Sequence, residues 1–333
     1  MRIEAFSEGK NLDDPDANED QFLVLPGLGF AVIDGVTDIS GRVYEDMRTG
    51  RIASRVVQRA VTDFLADPAR SEKTPDTLIE RASAELRAEY VRHGVLEDVR
   101  TDPQKRFGAT LTVAIDLGPT FRFIVIGDSG LRLNGAEVVV VDTGLDLVTA
   151  ALRQEAYRLV AEAGGDIDAQ RGVSRSCSFH GAAVLQPDML PWLDAASLAE
   201  LYRRSVARCR ARFPPAPVAD IERILERGIS GQARFQNNTA SPFSYGVLDG
   251  FDVPPSLVQV FDRPRESLRS IELFTDGYFK PAATPDLAAW EAAFREVERL
   301  DPEKIDAHPS VKGTVGRMRT DDRTVVIVQL QMR

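Results

Sequence analysis

Histidine and cysteine are scarce in this sequence, with three and two among 333 residues. His93, His180 and His308 share no metal-ligand spacing, and Cys177 and Cys209 form no CxxC pair. Neither a zinc site nor a disulfide framework is indicated. No apolar run approaches the ~18 residues of a membrane span. The start, MRIEAFSEGK, has no basic-then-apolar leader pattern, so a cytoplasmic address and no membrane partner are expected. Positive charge is in deficit, 41 Lys and Arg against 51 Asp and Glu, a net charge of −10. That argues against nucleic acid or an anionic membrane as the main partner. Also missing are a GxSxG nucleophile elbow, a CxxxxxR phosphate loop, a P-loop and a Rossmann glycine fingerprint. A side-chain nucleophile of those types and a nucleotide fold are thereby disfavoured.

What is present is an ordinary globular composition, 43% hydrophobic and 28% charged, on a chain long enough to bury a sizeable core. Strand-like runs rich in Val, Ile, Phe and Thr occur at 21–25, 29–34, 109–116, 120–128, 136–142, 271–276 and 323–330. Several are almost continuously apolar, which expects cover on both faces. Helical periodicity marks 51–66, where Ile52, Val56, Val57, Ala60, Val61, Phe64 and Leu65 recur at three- and four-residue steps. Further helices are expected over 76–93, 145–163 and 286–300. Two of them follow one another with no strand between, which does not suit a simple alternating parallel sheet. The stretch of about 186–232 is helical, basic and interrupted by PPAP, and reads as a helical insertion or flap. Strand character resumes near SYGVL, 244–248. The whole, 1–333, reads as one domain with this elaboration. The basic positions Arg203, Arg204, Arg208, Arg210 and Arg212 fit a solvated helix face better than a substrate patch.

The chemistry concentrates at strand ends. Glu19 and Asp20 precede QFLVL, Asp34-Gly35 follows GFAVI, Asp128 follows FIVIG, Asp276 follows IELFT, and Asp321-Asp322 precede RTVVIVQL. Any one of these is a common turn signal. Together they are a set of carboxylates on rigid supports that could be aimed at one point, where they would repel each other unless a cation neutralised them. All-oxygen ligation with few histidines selects Mg²⁺ or Mn²⁺ over zinc. Asp20, Asp34, Asp276 and Asp321 are therefore expected to form one divalent-metal site.

The ordered set NEDQFLV (18–24), GFAVIDGV (29–36), GATLTVAI (108–115), FIVIGDSGLRL (123–133), ELFTDG (272–277) and DDRTVVIV (321–328) resembles the metal-dependent protein phosphatase 2C family, in its divergent bacterial form. No single piece is very specific, but their order and spacing span nearly the whole chain. The resemblance implies an α+β, four-layer αββα sandwich of two antiparallel sheets flanked by helix pairs. It implies that Asp34 bridges two metals and Gly35 offers its carbonyl. Asp276 and Asp321 complete the metal core, Glu19 and Asp20 hold a metal directly or through water, and Asp128 serves a third, weaker ion. Two ions, or three, would activate a water for in-line attack on phosphorus, with Asp34, Asp276 and Asp321 catalytic through that water. The implied substrate is a phosphoserine or phosphothreonine protein, or else a small phosphate ester.

Three departures bear on substrate. The position where such phosphatases carry a phosphate-clamping Arg is Pro15, within the acidic Asp13-Asp14-Pro15-Asp16. Lys10 and Arg42 are candidate replacements. Asp322 stands where Asn is usual, and the glycine-rich loop of the family is Asp34-Gly35-Val36-Thr37-Asp38 here. Two other readings stand beside the enzyme: a pseudophosphatase kept as a binding or regulatory module, and a set of acidic turns that bind nothing.

Overall fold

The computed structural model describes residues 1–37, 41–68, 73–213 and 218–330. Asp38 of the altered loop and the PPAP stretch, 214–217, lie outside the described residues. Two five-stranded antiparallel sheets form the centre. One joins, in spatial order, β1 (Arg2–Glu8), β12 (Arg323–Gln329), β11 (Ser270–Phe274), β8 (Gly130–Leu133) and β9 (Glu137–Val139). The other joins β10 (Val258–Pro264), β7 (Thr120–Ile126), β6 (Leu111–Asp116), β3 (Gly29–Ile33) and β2 (Gln21–Leu25). A two-stranded ribbon, β4 (Val43–Tyr44) and β5 (Met47–Arg48), stands apart.

The sheets pack face to face through Phe30, Val32, Phe123, Val125, Leu131, Ile271, Leu273, Val326 and Val328. Alternate residues of the same strands point outward. Ala31, Ile33, Val113 and Ile124 meet α1 (Thr49–Ala66) and α2 (Pro75–Arg92), which the short α3 (Leu96–Thr101) follows. The opposite outer face offers Phe274, Val325 and Ile327 to α8 (Leu287–Leu300) through Trp290 and Phe294. Burial on both faces is why these strands read as continuous apolar runs. The architecture is α+β with two antiparallel sheets between helices, as the resemblance implied.

Four elements differ from the sequence reading. SYGVL is not a strand. Tyr245 pairs only with Gln236 and Leu248 only with Ala109, in isolated bridges, and Gly246 packs its backbone against the Leu257 carbonyl. The run 136–142 is a strand only over Glu137–Val139, because it is the edge strand and its sole partner is the four-residue β8. The helix expected to begin near 186 begins at Ala195 (α6, Ala195–Arg212), where Asp194 accepts from the Ser197 amide as N-cap and Pro191 precedes it. The helical region is also larger than expected. α4 (Leu145–Glu162), an unforeseen α5 (Ile167–His180), α6 and α7 (Val218–Arg227) share one apolar cluster built on Leu152, Cys177, Met189, Leu201, Ile224 and Leu225. The arginines of α6 are ion-paired locally: Arg203 and Arg204 with Glu200, Arg208 with Glu155. Both cysteines are buried free thiols. Among the described residues no helix is long and apolar enough to cross a membrane.

Candidate metal centre

Antiparallel pairing decides where the acidic residues go. Gln21, the first residue of β2, faces Ile33, the last of β3. Leu111, the first of β6, faces Ile126, the last of β7. In the other sheet Phe274, ending β11, faces Val325 near the start of β12. The loops after β3, β7 and β11 and those before β2 and β12 therefore open at the same end of their sheets. Face-to-face packing brings the two ends together. The Thr275 hydroxyl donates to Asp20 Oδ2 at 2.8 Å, a direct bond between the two sheets' loops. The Glu19 amide donates to Asp322 Oδ2 at 3.3 Å. The Thr110 amide donates to the Asp34 carbonyl at 2.8 Å and holds the end of β3.

Glu19, Asp20 and Asp322 are buried; Asp34, Asp128 and Asp321 are half-buried; Asp276 is exposed. Burial and the neighbouring carboxylate of Asp322 push Asp20 up to about 7. Burial and Asp146 push Asp128 up to about 7. Asp34 and Asp276 are both driven above the ordinary carboxylate range by burial and then by their acidic neighbours, Asp20 and Asp276 acting on Asp34, and Asp321 and Asp128 on Asp276. Water reaching Asp276 moderates its share of that push. Asp321 goes the other way: burial opposes its charge, yet Lys312 and Lys10 hold it at about 2.

Two lysines stand among these carboxylates. Lys10 is the expected candidate for substrate phosphate. Its Nζ lies 3.0 Å from Glu19 Oε2, 3.1 Å from Asp322 Oδ2 and 3.4 Å from Asp321 Oδ1, and donates to Thr37 Oγ1 at 3.0 Å. Thr37 in turn donates to Glu19 Oε2 at 2.8 Å. Lys312 Nζ lies 2.9 Å from Asp321 Oδ2. No motif marks Lys312, which sits in the loop that leads to β12. Asp146, near Asp128, was likewise unmarked. Arg42 is half-buried immediately before β4. Pro15 opens a short 3₁₀ turn, Pro15–Ala17, and Arg51 of α1 reaches this turn, 3.5 Å from Asp16 Oδ1 and from the Asn18 carbonyl.

The carboxylates are gathered but not closed around a point: among the described residues, no three acidic, histidine or cysteine side chains form a ready-made cage for an ion. The donors nevertheless suit a hard cation. Glu19 Oε1, Asp20 Oδ1 and Asp128 Oδ1 are buried without a hydrogen-bond partner, a costly state for an anionic oxygen. Around Glu19 the backbone is cleared of side chains. A Cβ on Gly50, in the first turn of α1, would lie 2.6 Å from Glu19 Oε1, and one on Gly35 would lie 2.8 Å from the Glu19 carbonyl. Carboxylate and carbonyl oxygens without imidazole or thiolate fit Mg²⁺ or Mn²⁺.

No family model matches the chain, and no curated protein matches it. Among solved structures it is similar to the serine/threonine phosphatase PstP/Ppp of Mycobacterium tuberculosis, 15% identical over 99% of this chain and 98% of that one, with a TM-score of 0.47. It is also similar to the serine/threonine phosphatase Stp1 from Staphylococcus aureus, 12% identical over 99% of this chain and 95% of that one, with a TM-score of 0.47. The catalytic domain of PstP in complex with two manganese ions is 15% identical, over 98% of this chain and 97% of that one, with a TM-score of 0.45. At these scores the likeness carries no argument about activity.

Proposed function

We propose that the chain is a Mn²⁺- or Mg²⁺-dependent phosphatase of phosphoserine and phosphothreonine monoesters, with its centre at Asp34, Asp276 and Asp321. The observation that carries this reading is the gathering of Glu19, Asp20, Asp34, Asp128, Asp276, Asp321 and Asp322 from five loops at one end of two sheets, with three of their oxygens buried and unpartnered. The ordered motifs of the protein phosphatase 2C type give that arrangement its chemical meaning.

In this reading Asp34, the Gly35 carbonyl, Asp276 and Asp321 hold the ions, Glu19 and Asp20 flank them, and Asp128 serves a further one. Divalent ions bound there supply Lewis acidity toward phosphoryl oxygens and lower the pKa of a water between them. The chain's own contribution is placement. Thr275 fixes Asp20 against the opposite sheet, and the Asp322 amide turns back to Asp321 Oδ1 at 3.0 Å. Arg51, which reaches the Pro15–Ala17 turn, is a cation on the acidic Asp13–Asp16 side of the centre. The substrate is a phosphoprotein in the first instance and a small phosphate ester in the second.

The ion pairs of Lys10 and Lys312 favour one competing reading. A centre partly neutralised by its own ammonium groups could persist as a binding module without turnover. Hydrolysis of p-nitrophenyl phosphate and of a phosphothreonine peptide, with and without Mn²⁺, separates the two. The enzyme reading expects metal-dependent turnover that falls by roughly 10²-fold or more in Asp34→Asn and Asp276→Asn. Metal binding with no turnover on either substrate would leave the binding module, and turnover of the small ester alone would exclude the phosphoprotein.

A further inference from the structure

The acidic centre is divided into two electrostatically unlike halves. Among the described residues no ion pair reaches Asp20, Asp34, Asp128 or Asp276, whereas Asp321 has both lysines within 3.4 Å and Glu19 and Asp322 share Lys10. Lys10 is also poorly free to leave. Its own amide donates to Asp322 Oδ1 at 2.6 Å, and its carbonyl accepts from the Arg319 amide at 2.7 Å. The main chain is thus fixed on both sides to the loop that carries Asp321 and Asp322. The neighbouring Asn11 and Met318 form a further backbone bridge between the same two segments. An ammonium has three N–H donors, and here they point at Glu19, Thr37 and the Asp321–Asp322 pair. Its side chain is only 15% exposed.

We propose that Lys10 is a built-in counter-cation of this centre, holding the place between Glu19 and the Asp321–Asp322 pair against a divalent ion, so that metal loads in two unequal steps. The proposal rests on the metal-centre reading above and adds which part of the centre resists loading. The first ion enters the lysine-free half, at Asp34 and Asp276 with Asp20 on its flank. The second must displace an ammonium whose backbone cannot follow it, so it binds weakly. In the metal-free protein the same ammonium keeps Glu19, Asp321 and Asp322 from repelling one another. Lys10 therefore stabilises the apo form and opposes completion of the holo form.

The test is Mn²⁺ titration by calorimetry, with thermal melting of each protein with and without Mn²⁺. Lys10→Met keeps the aliphatic stem and removes the charge. Loss of a unit charge a few ångströms from the ion should tighten the weaker Mn²⁺ event by roughly tenfold or more, and leave the tighter event within a few-fold. Metal-free Lys10→Met should melt below the wild type, and saturating Mn²⁺ should close that gap. Thr37→Val leaves the ammonium charged but removes one of its partners, and should tighten the weaker event by a few-fold, so the idea stays testable if Lys10→Met folds only with metal. Weaker or unchanged Mn²⁺ binding in Lys10→Met, with turnover retained in the wild type, would overturn the role given to Lys10 alone. Absence of Mn²⁺ binding in both proteins would remove the metal centre itself.

Discussion

Removing a charge from Asp20 should stabilise the metal-free protein at neutral pH, although the residue is buried and well placed. Its carboxyl stands at about 7 in the fold, against 3.8 for an ordinary Asp. Between those values the folded chain holds a proton that the unfolded chain has released, so stability falls as pH rises through that window. Each pH unit is worth 1.36 kcal/mol per proton, so the full window sets a ceiling of about 4 kcal/mol, and the part between pH 5 and 7 roughly 2–3 kcal/mol. Asp321 has the opposite sign, but at about 2 its contribution is lost only as pH falls below 3.8, outside this range. An unfolding entropy of about 2.1 cal/mol/K per residue over 333 residues converts the 2–3 kcal/mol to roughly 3–4 °C. The assay is thermal melting in EDTA at pH 5.0 and 7.5 for the wild type and Asp20→Asn. The wild type should lose about 3–4 °C more than the variant over that step. With Mn²⁺ at pH 7.5 the order should reverse, because the ion neutralises Asp20 and binds the variant less well. Equal losses in both proteins, or a metal-free variant less stable than wild type at pH 7.5, would refute the view that Asp20 is held in uncompensated repulsion.

Two further outcomes follow from packing. Ala is normally preferred to Gly in a helix, by about 1 kcal/mol, yet Gly50→Ala should cost about 1–3 kcal/mol. Its Cβ would press on Glu19 Oε1 and lie 2.7 Å from the Val36 carbonyl. It should also weaken Mn²⁺ binding, and melting together with calorimetry reads both effects. In the sheet interior Arg132 is bidentate to its cross-strand partner Glu272, which also accepts from Trp290 Nε1 at 2.8 Å, and both charged residues are buried. Arg132→Met strands a carboxylate and should cost about 3–5 kcal/mol in urea unfolding, while Arg132→Met with Glu272→Leu should recover most of it.

Much of the fold was legible along the chain because it is encoded in local periodicity. The runs ending at Ile33, Ile126 and Phe274 are largely apolar, and an Asp follows each within two residues. The faces of α1, α2, α4 and α8 follow the helical repeat. Elements whose formation depends on distant partners were not legible. β1, RIEAFSE, is half-exposed and becomes a strand by pairing with β12 at the far end of the chain. β10, VQVFDRP, is an edge strand that tolerates Pro264 because its outer side needs no donor. α5, IDAQRGVSRSCSFH, carries few large apolar side chains and is held against α4.

The same division runs through the centre. The sequence by itself determined which oxygens are available, since strand-end aspartates and an NED motif are local features with a recognisable order. Only the tertiary structure decided what those oxygens face. Lys10 lies 312 positions from Asp322 in the chain, and no spacing rule links them. Antiparallel alternation puts five loops at one end of two sheets, and the packing of those sheets sets Thr275 against Asp20 and the ammonium of Lys10 among Glu19, Asp321 and Asp322. Coulombic interaction depends on distance in space and not along the chain, so the charge balance of the centre could be written down only once the fold had brought its charges together.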